Sequence, residues 1–143
     1  MTVQQISVFL ENTPGSLSVL TDDIAKNNVN IRAMSIADTS DFGIARFLTD
    51  NPEEVAKQLK EKDYLVNVTG VIALEIPDTA GSLNSVLKLL GENGRNIEYM
   101  YGFTGKKTNT ACMIIRTTDI AKTEDVLAKS NIHMISAEEL KNL

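Results

Sequence analysis

Two kinds of hydrophobic periodicity alternate along the chain. Residues 6–10 (ISVFL) and 71–76 (VIALEI) are short runs of β-prone side chains, which predicts strands. Each leads into a turn and then into apolar residues three and four apart: Leu17, Leu20 and Ile24 in one case, Leu83, Val86, Leu87 and Leu90 in the other. That spacing places one apolar stripe along a helix. Both helices run into Asn- and Gly-rich punctuation, KNNVN (26–30) and GENGRN (91–96), where left-handed caps cost those residues little. A second strand then starts from Asn30 or Asn96, and a third covers FGIARFLT (42–49) or NTACMIIRTT (109–118). A second helix follows Asn51-Pro52 or lies near Thr123-Glu124, and a fourth strand covers YLVNVT (64–69) or NIHMIS (131–136).

The same order appears twice because the sequence repeats itself. An ungapped alignment of residues 8–35 with 74–101 makes Thr13/Thr79, Gly15/Gly81, Ser16/Ser82, Leu17/Leu83, Asn27/Asn93, Asn30/Asn96, Ile31/Ile97 and Met34/Met100 identical. The order βαββαβ, taken twice, predicts an α+β protein of two tandem ferredoxin-like modules, residues 1–69 and 70–143, each an antiparallel sheet with helices on one face. Right-handed crossovers are expected in both. Only Thr69-Gly70 separates the flanking strands, too little for a flexible linker. The modules are therefore expected to pack together, with a pocket at their seam.

Composition narrows the function. The 143 residues are 43% apolar, enough for a core. A formal net charge of -5, with Lys and Arg scattered, disfavours binding to phosphate backbones. Three Tyr, four Phe and no Trp make a poor stacking platform for single strands, so no nucleic-acid partner is expected. The first residues lack the basic segment of a signal peptide, and no apolar stretch approaches the ~20 residues of a membrane span. A cytoplasmic protein without a membrane partner is the expectation. The single cysteine, Cys112, falls in an apolar strand and reads as a buried thiol.

The repeated turns ENTPGSL (11–17) and PDTAGSL (77–83) carry no evident catalytic group. Thr13 and Thr79 are placed as N-caps and Pro14 as the first helical residue. Gly15 and Gly81 leave backbone N–H groups approachable at a helix start, a favourable place for a carboxylate. Asn12 or Asp78 precedes the turn, and Asn30 or Asn96 opens the next strand at the other end of the helix. Paired modules related by a twofold axis could bring the turn of one against the strand start of the other. The donors and acceptors gathered there suit the two charged groups of an α-amino acid.

ENTPGSL…NNVNIRAMSI and PDTAGSL…NGRNIEYMYG resemble the signature of the ACT domain, the βαββαβ regulatory module of amino-acid metabolism, and the resemblance covers the chain as two tandem modules. It implies ligand binding across a paired-module interface, by the loop after strand 1 and the start of strand 2. Ligand-binding roles pass to Asn12, Gly15 and Asn30 in the first module and to Asp78, Gly81 and Asn96 in the second. The rest of the matched motif completes the candidate set: Thr13, Pro14, Ser16, Leu17 and Ile31, with Thr79, Ala80, Ser82, Leu83 and Ile97. Leu10 stands where serine-sensing members carry a histidine, which argues against serine. Ala80 replaces the family's proline, which predicts a second loop that either differs in shape or binds nothing, and two diverged sites.

Other candidates read as structural. His133, the sole histidine, has no evident partner for base catalysis, and Ser16 and Ser82 lack a base in range. GFTGKKTNT (102–110) lacks the spacing of a phosphate loop and reads as a hairpin. NPEEVAKQLKEKD (51–63) reads as a solvated amphipathic helix pairing Glu53 with Lys57 and Glu54 with Gln58 or Lys57. Met34 and Met100 read as sheet-to-helix packing.

The expected function is a non-catalytic sensor, needing no cofactor or metal, that binds an amino-acid effector and acts on a biosynthetic enzyme partner or through homodimer assembly. Two alternatives stand beside it. One is a small enzyme with an intersubunit site using Asp78, His133 or Tyr101; the other is a structural adaptor.

Overall fold

The computed structural model describes residues 2–38 and 40–143. They form two compact units, one of Gln4–Thr69 and one of Gly70–Leu143 together with residues 2–3. The first carries β1 (Val3–Glu11), α1 (Ser16–Lys26), β2 (Ile31–Asp38), β3 (Phe42–Thr49), α2 (Pro52–Glu61) and the opening residues of β4 (Leu65–Pro77). The second carries the rest of β4, α3 (Ser82–Glu92), β5 (Ile97–Phe103), β6 (Thr110–Thr117), α4 (Ile120–Lys129), β7 (His133–Ile135) and α5 (Ala137–Lys141). Each unit is a βαββαβ module of mixed α+β content with antiparallel pairing.

In the first unit β3 lies between β2 and β1 and pairs antiparallel with both, so that Phe47 faces Met34 on one side and Ile6 on the other. In the second unit β6 lies between β5 and β4, and β7 takes the far edge of β4. Strand alternation decides what is buried. Ile6, Val8, Ala45 and Phe47 turn inward and meet Leu20 and Ile24 of α1 and Val55, Ala56 and Leu59 of α2. Ile72, Leu74, Ile76 and Ile115 likewise meet Val86 and Leu90 of α3 and Leu127 of α4. Each fully buried Leu or Ile contributes roughly 1.5–3 kcal/mol. Met34 and Met100 pack against these clusters, as expected.

The helix exits follow the Asn and Gly punctuation. Asn27 and Asn93 are C-caps, and the next residues, Asn28 and Gly94, hold φ 55° and 66°. The helix entries differ from expectation. Thr13 and Thr79 are not the N-caps, and Pro14 precedes the helix instead of opening it. Gly15 and Gly81 take the N-cap position, both at φ 88°.

Three other boundaries also move. The two strands expected on either side of Thr69-Gly70 are one strand, β4. Gly70 sits there because a Cβ would lie 2.6 Å from Thr2 Cγ2, and its carbonyl accepts a 2.6 Å hydrogen bond from Arg116. α4 starts at Ile120, ahead of Thr123-Glu124, because Asp119 caps it by accepting from the Lys122 N–H at 3.1 Å. The final helix α5, absent from the sequence reading, is set by a capping box in which Ser136 and Glu139 bond each other's backbone. Residues 104–109 join β5 to β6 as the hairpin read from the sequence.

Candidate functional site

The repeated turn owes its shape to its glycine. The Ser16 N–H donates to the Thr13 carbonyl at 3.2 Å, and the Ser82 N–H to that of Thr79 at the same distance. With φ 88° and ψ near zero at Gly15 and Gly81, each four-residue stretch matches a type II turn, which favours Pro in its second place and requires positive φ in its third. Ala80 therefore leaves the second turn with the geometry of the first, and the expected difference in loop shape is not found. Thr13 and Ser16 share a hydroxyl hydrogen bond of 2.7 Å, as do Thr79 and Ser82. The threonine hydroxyls engage serine, and neither helix start has a side-chain cap.

Neither α1 nor α3 has an acidic residue in its first turn, whereas α2 has Glu53 and Glu54. No acidic side chain within the first helical turn therefore offsets the helix-start partial charge at either repeated turn. In the first unit this start opens on a cavity of about 600 Å³ lined by Phe9, Leu10, Glu11, Pro14, Gly15, Ser16, Val19, Phe42, Asp63, Tyr64 and Leu65. The volume falls in the range of small-molecule sites. Tyr64 in its lining is tied to α1: Asp23 accepts from Tyr64 Oη at 2.8 Å and from Lys62 Nζ at 2.6 Å. Burial, with the Asp23 carboxylate beside it, pushes the Tyr64 phenol up to about 12. The Lys62 ammonium, then the phenol, hold the Asp23 carboxyl below its ordinary range.

The second unit has a cavity of about 490 Å³ in the same place, lined by Glu75, Ile76, Pro77, Ser82, Ser85, Val86, Leu89, Ser130, Asn131, Ile132 and His133. Of the sequence candidates, Pro14, Gly15 and Ser16 line the first cavity and Ser82 lines the second. Asn12 and Asp78 lie just before the turns, where their N–H groups bond to the Asp41 and Asn109 carbonyls at 3.1 and 2.9 Å. Thr13, Leu17, Thr79, Ala80, Gly81 and Leu83 complete the turns and first helical residues. Asn30, Ile31, Asn96 and Ile97 follow the helices' far ends and line neither cavity.

Sequence reasoning missed the walls. Phe9, Val19, Phe42 and Leu65 stand exposed around the first cavity. The signal for Phe9 was available: in ISVFL the inward positions are Ile6, Val8 and Leu10, so the aromatic faces out.

The remaining candidates are accounted for locally. His133 is exposed on β7, with Nε2 3.1 Å from Glu139 Oε1. Cys112 is buried in β6, as expected, and burial pushes its thiol up. On α2, Gln58 bonds Glu54 at 3.0 Å, while Glu53 accepts from Gln4 at 3.3 Å. Among the described residues no cluster of His, Cys, Asp and Glu could hold a metal, and no helix is long and apolar enough to cross a membrane.

Comparison with known proteins gives one family match, the ACT domain pair, over residues 1–143. No curated protein matches the sequence. Among solved structures, a protein from Bacteroides thetaiotaomicron is 37% identical with a TM-score of 0.93, over 100% of this chain and 98% of its own. The ligand-free regulatory subunit of aspartate kinase from Thermus thermophilus shares the fold at 11% identity and a TM-score of 0.65, covering 90% of this chain and 92% of its own. E. coli aspartokinase III, solved in complex with lysine and aspartate, matches at 16% identity and 0.55, over 90% of this chain and 31% of its own.

Proposed function

Because the chain belongs to the ACT domain pair family over residues 1–143, we propose that it is a non-catalytic sensor that binds a free amino acid and reports its level to a partner enzyme of amino-acid metabolism or through its own assembly. The observation that carries this reading is the coincidence, in each unit, of a concave surface with a helix start whose first turn holds no acidic side chain. Such a start attracts a carboxylate. Glu11 and Asp63 line the first cavity, and their carboxyl oxygens can accept from an ammonium group. The amino-acid class of the ligand comes from the family, and a fold relative, E. coli aspartokinase III, was solved with lysine and aspartate.

In this proposal residues 12–17 and 78–83 hold the ligand from the turns. The strand starts Asn30-Ile31 and Asn96-Ile97 complete the sites from a neighbouring module in a cytoplasmic homodimer. The effector works by binding two states of the assembly, or of its contact with the enzyme, with different affinity.

A thermal-shift screen of the twenty amino acids on wild type, Asn30→Ala and Asn96→Ala tests the reading. A ligand at a hundred times its Kd stabilises the fold by about 2.7 kcal/mol, a shift of several degrees. A selective shift lost in one variant supports the proposal and tells which strand start takes part. An unchanged melting temperature with all twenty sets it aside.

A further inference from the structure

The two cavities occupy equivalent places, yet four of the matching wall positions differ in character. In the first unit four large apolar side chains stand around the opening, with 49% of Phe9, 58% of Val19, 59% of Phe42 and 72% of Leu65 exposed. Their counterparts follow from the repeat and the registers. The ungapped alignment matches Phe9 with Glu75 and Val19 with Ser85. Phe42 faces Glu11 across the sheet as Thr110 faces Pro77. Leu65 comes two residues after left-handed Asp63, as His133 does after left-handed Asn131. Between them, the N–H groups of Tyr64 and Ile132 reach back to the carbonyls of Leu59 and Leu127, both at 3.1 Å. These four apolar wall positions of the first cavity are thus polar or charged in the second unit, Glu75, Ser85, Thr110 and His133, while Leu10 keeps an apolar counterpart in Ile76.

The fold does not require this difference, since both units build the same strands, helices and turn. Four large apolar groups gathered around one concavity mark a binding surface. They also share that concavity with the helix start and with two carboxylates, Glu11 and Asp63. A flat apolar partner would use the wall alone, whereas an apolar amino acid uses the wall and both charged features.

Resting on the sensor reading above, we infer that the first-unit cavity selects an amino acid with a large apolar side chain, of the leucine, isoleucine or phenylalanine kind. The side chain lies against Phe9, Val19, Phe42 and Leu65. The α-carboxylate faces Gly15-Ser16, and the ammonium faces Glu11 and Asp63. The second cavity, with Glu75, Ser85 and His133 at the matching positions beside apolar Val86 and Leu89, holds that side chain less tightly.

Isothermal titration calorimetry of the full chain with leucine, isoleucine, phenylalanine, alanine, glycine, serine, aspartate and lysine tests the assignment. The large apolar ligands should bind about tenfold or more tightly than alanine. Phe9→Glu and Leu65→His install the second unit's residues at exposed positions, and circular dichroism checks that the fold is kept. Each should weaken the apolar ligands about tenfold while changing alanine binding by less than about threefold. A preference for serine, aspartate or lysine, or an apolar preference that survives both substitutions, overturns this inference and leaves the sensor reading standing. No heat with any amino acid, together with self-association that both substitutions abolish, assigns the wall to a second copy of the chain and overturns both.

Discussion

Replacing glycine by alanine should change the stability of this protein with opposite signs at different places, and backbone conformation alone sets the sign. Gly15 and Gly81 hold φ 88° with ψ of -14° and -10°. A Cβ in that region crowds the following carbonyl at a cost of roughly 1–2 kcal/mol, and alanine is a poorer N-cap than glycine. Lack of room plays no part. The nearest atom to a Cβ at Gly15 is Ser18 Oγ at 3.9 Å, and at Gly81 nothing lies within 4 Å. Gly91 also has nothing within 4 Å, but it sits in the last turn of α3 without a positive φ. Alanine there reduces the entropy of the unfolded chain and raises helix propensity, for a gain of about 0.5 kcal/mol. Urea unfolding followed by circular dichroism should therefore give lower midpoints for Gly15→Ala and Gly81→Ala and a higher one for Gly91→Ala, at constant slope. Gly15→Asn should fall between wild type and Gly15→Ala, because Asn tolerates the left-handed region better. Neutral or stabilising Gly15→Ala and Gly81→Ala would refute the left-handed helix entry and the turn geometry built on it.

Three further predictions concern packing and charge. Leu20→Ala and Leu90→Ala empty fully buried positions and should each cost about 2–5 kcal/mol by chemical denaturation, with a loss below 1 kcal/mol arguing against those cores. Arg32 grips Asp50 with two hydrogen bonds of 2.8 and 3.1 Å, so Arg32→Lys, which keeps the charge but not the fork, should lose stability in the same direction as Arg32→Ala. The Tyr64 phenol is pushed from 10 up to about 12 in the folded state. Its proton is therefore held more tightly when folded, and the stability it contributes is complete below pH about 10 and is lost as the pH rises through about 12. A phenolate absorbance titration should show a late ionisation from Tyr64 that moves earlier in Asp23→Asn; identical curves for the two proteins would contradict the Tyr64–Asp23 hydrogen bond.

The periodicity of Ile6, Val8, Leu20 and Ile24, and of Ile72, Leu74, Val86 and Leu90, made both cores legible in the sequence because apolar burial dominates there. The helix entries were misread because Thr-x-Gly-Ser satisfies the composition rule for an N-cap while its geometry is that of a type II turn. The joint at Thr69-Gly70 was misread for a related reason: glycine punctuates turns, but here it makes room for Thr2 Cγ2 within a strand. The helix α5 had a visible signal in Ser136 and Glu139. The apolar wall of the first cavity could not be read from any one segment, since Phe9, Val19, Phe42 and Leu65 come from four segments whose meeting depends on strand register.

The measurement that bears most directly on the sensor account is an amide chemical-shift titration of the isotopically labelled chain with leucine and, in parallel, with lysine. The account predicts saturable shifts with leucine at the N–H groups of Gly15, Ser16, Leu17 and Ser18, and weaker ones with lysine. Unmoved amides at that turn with leucine, lysine and the other eighteen amino acids would contradict it.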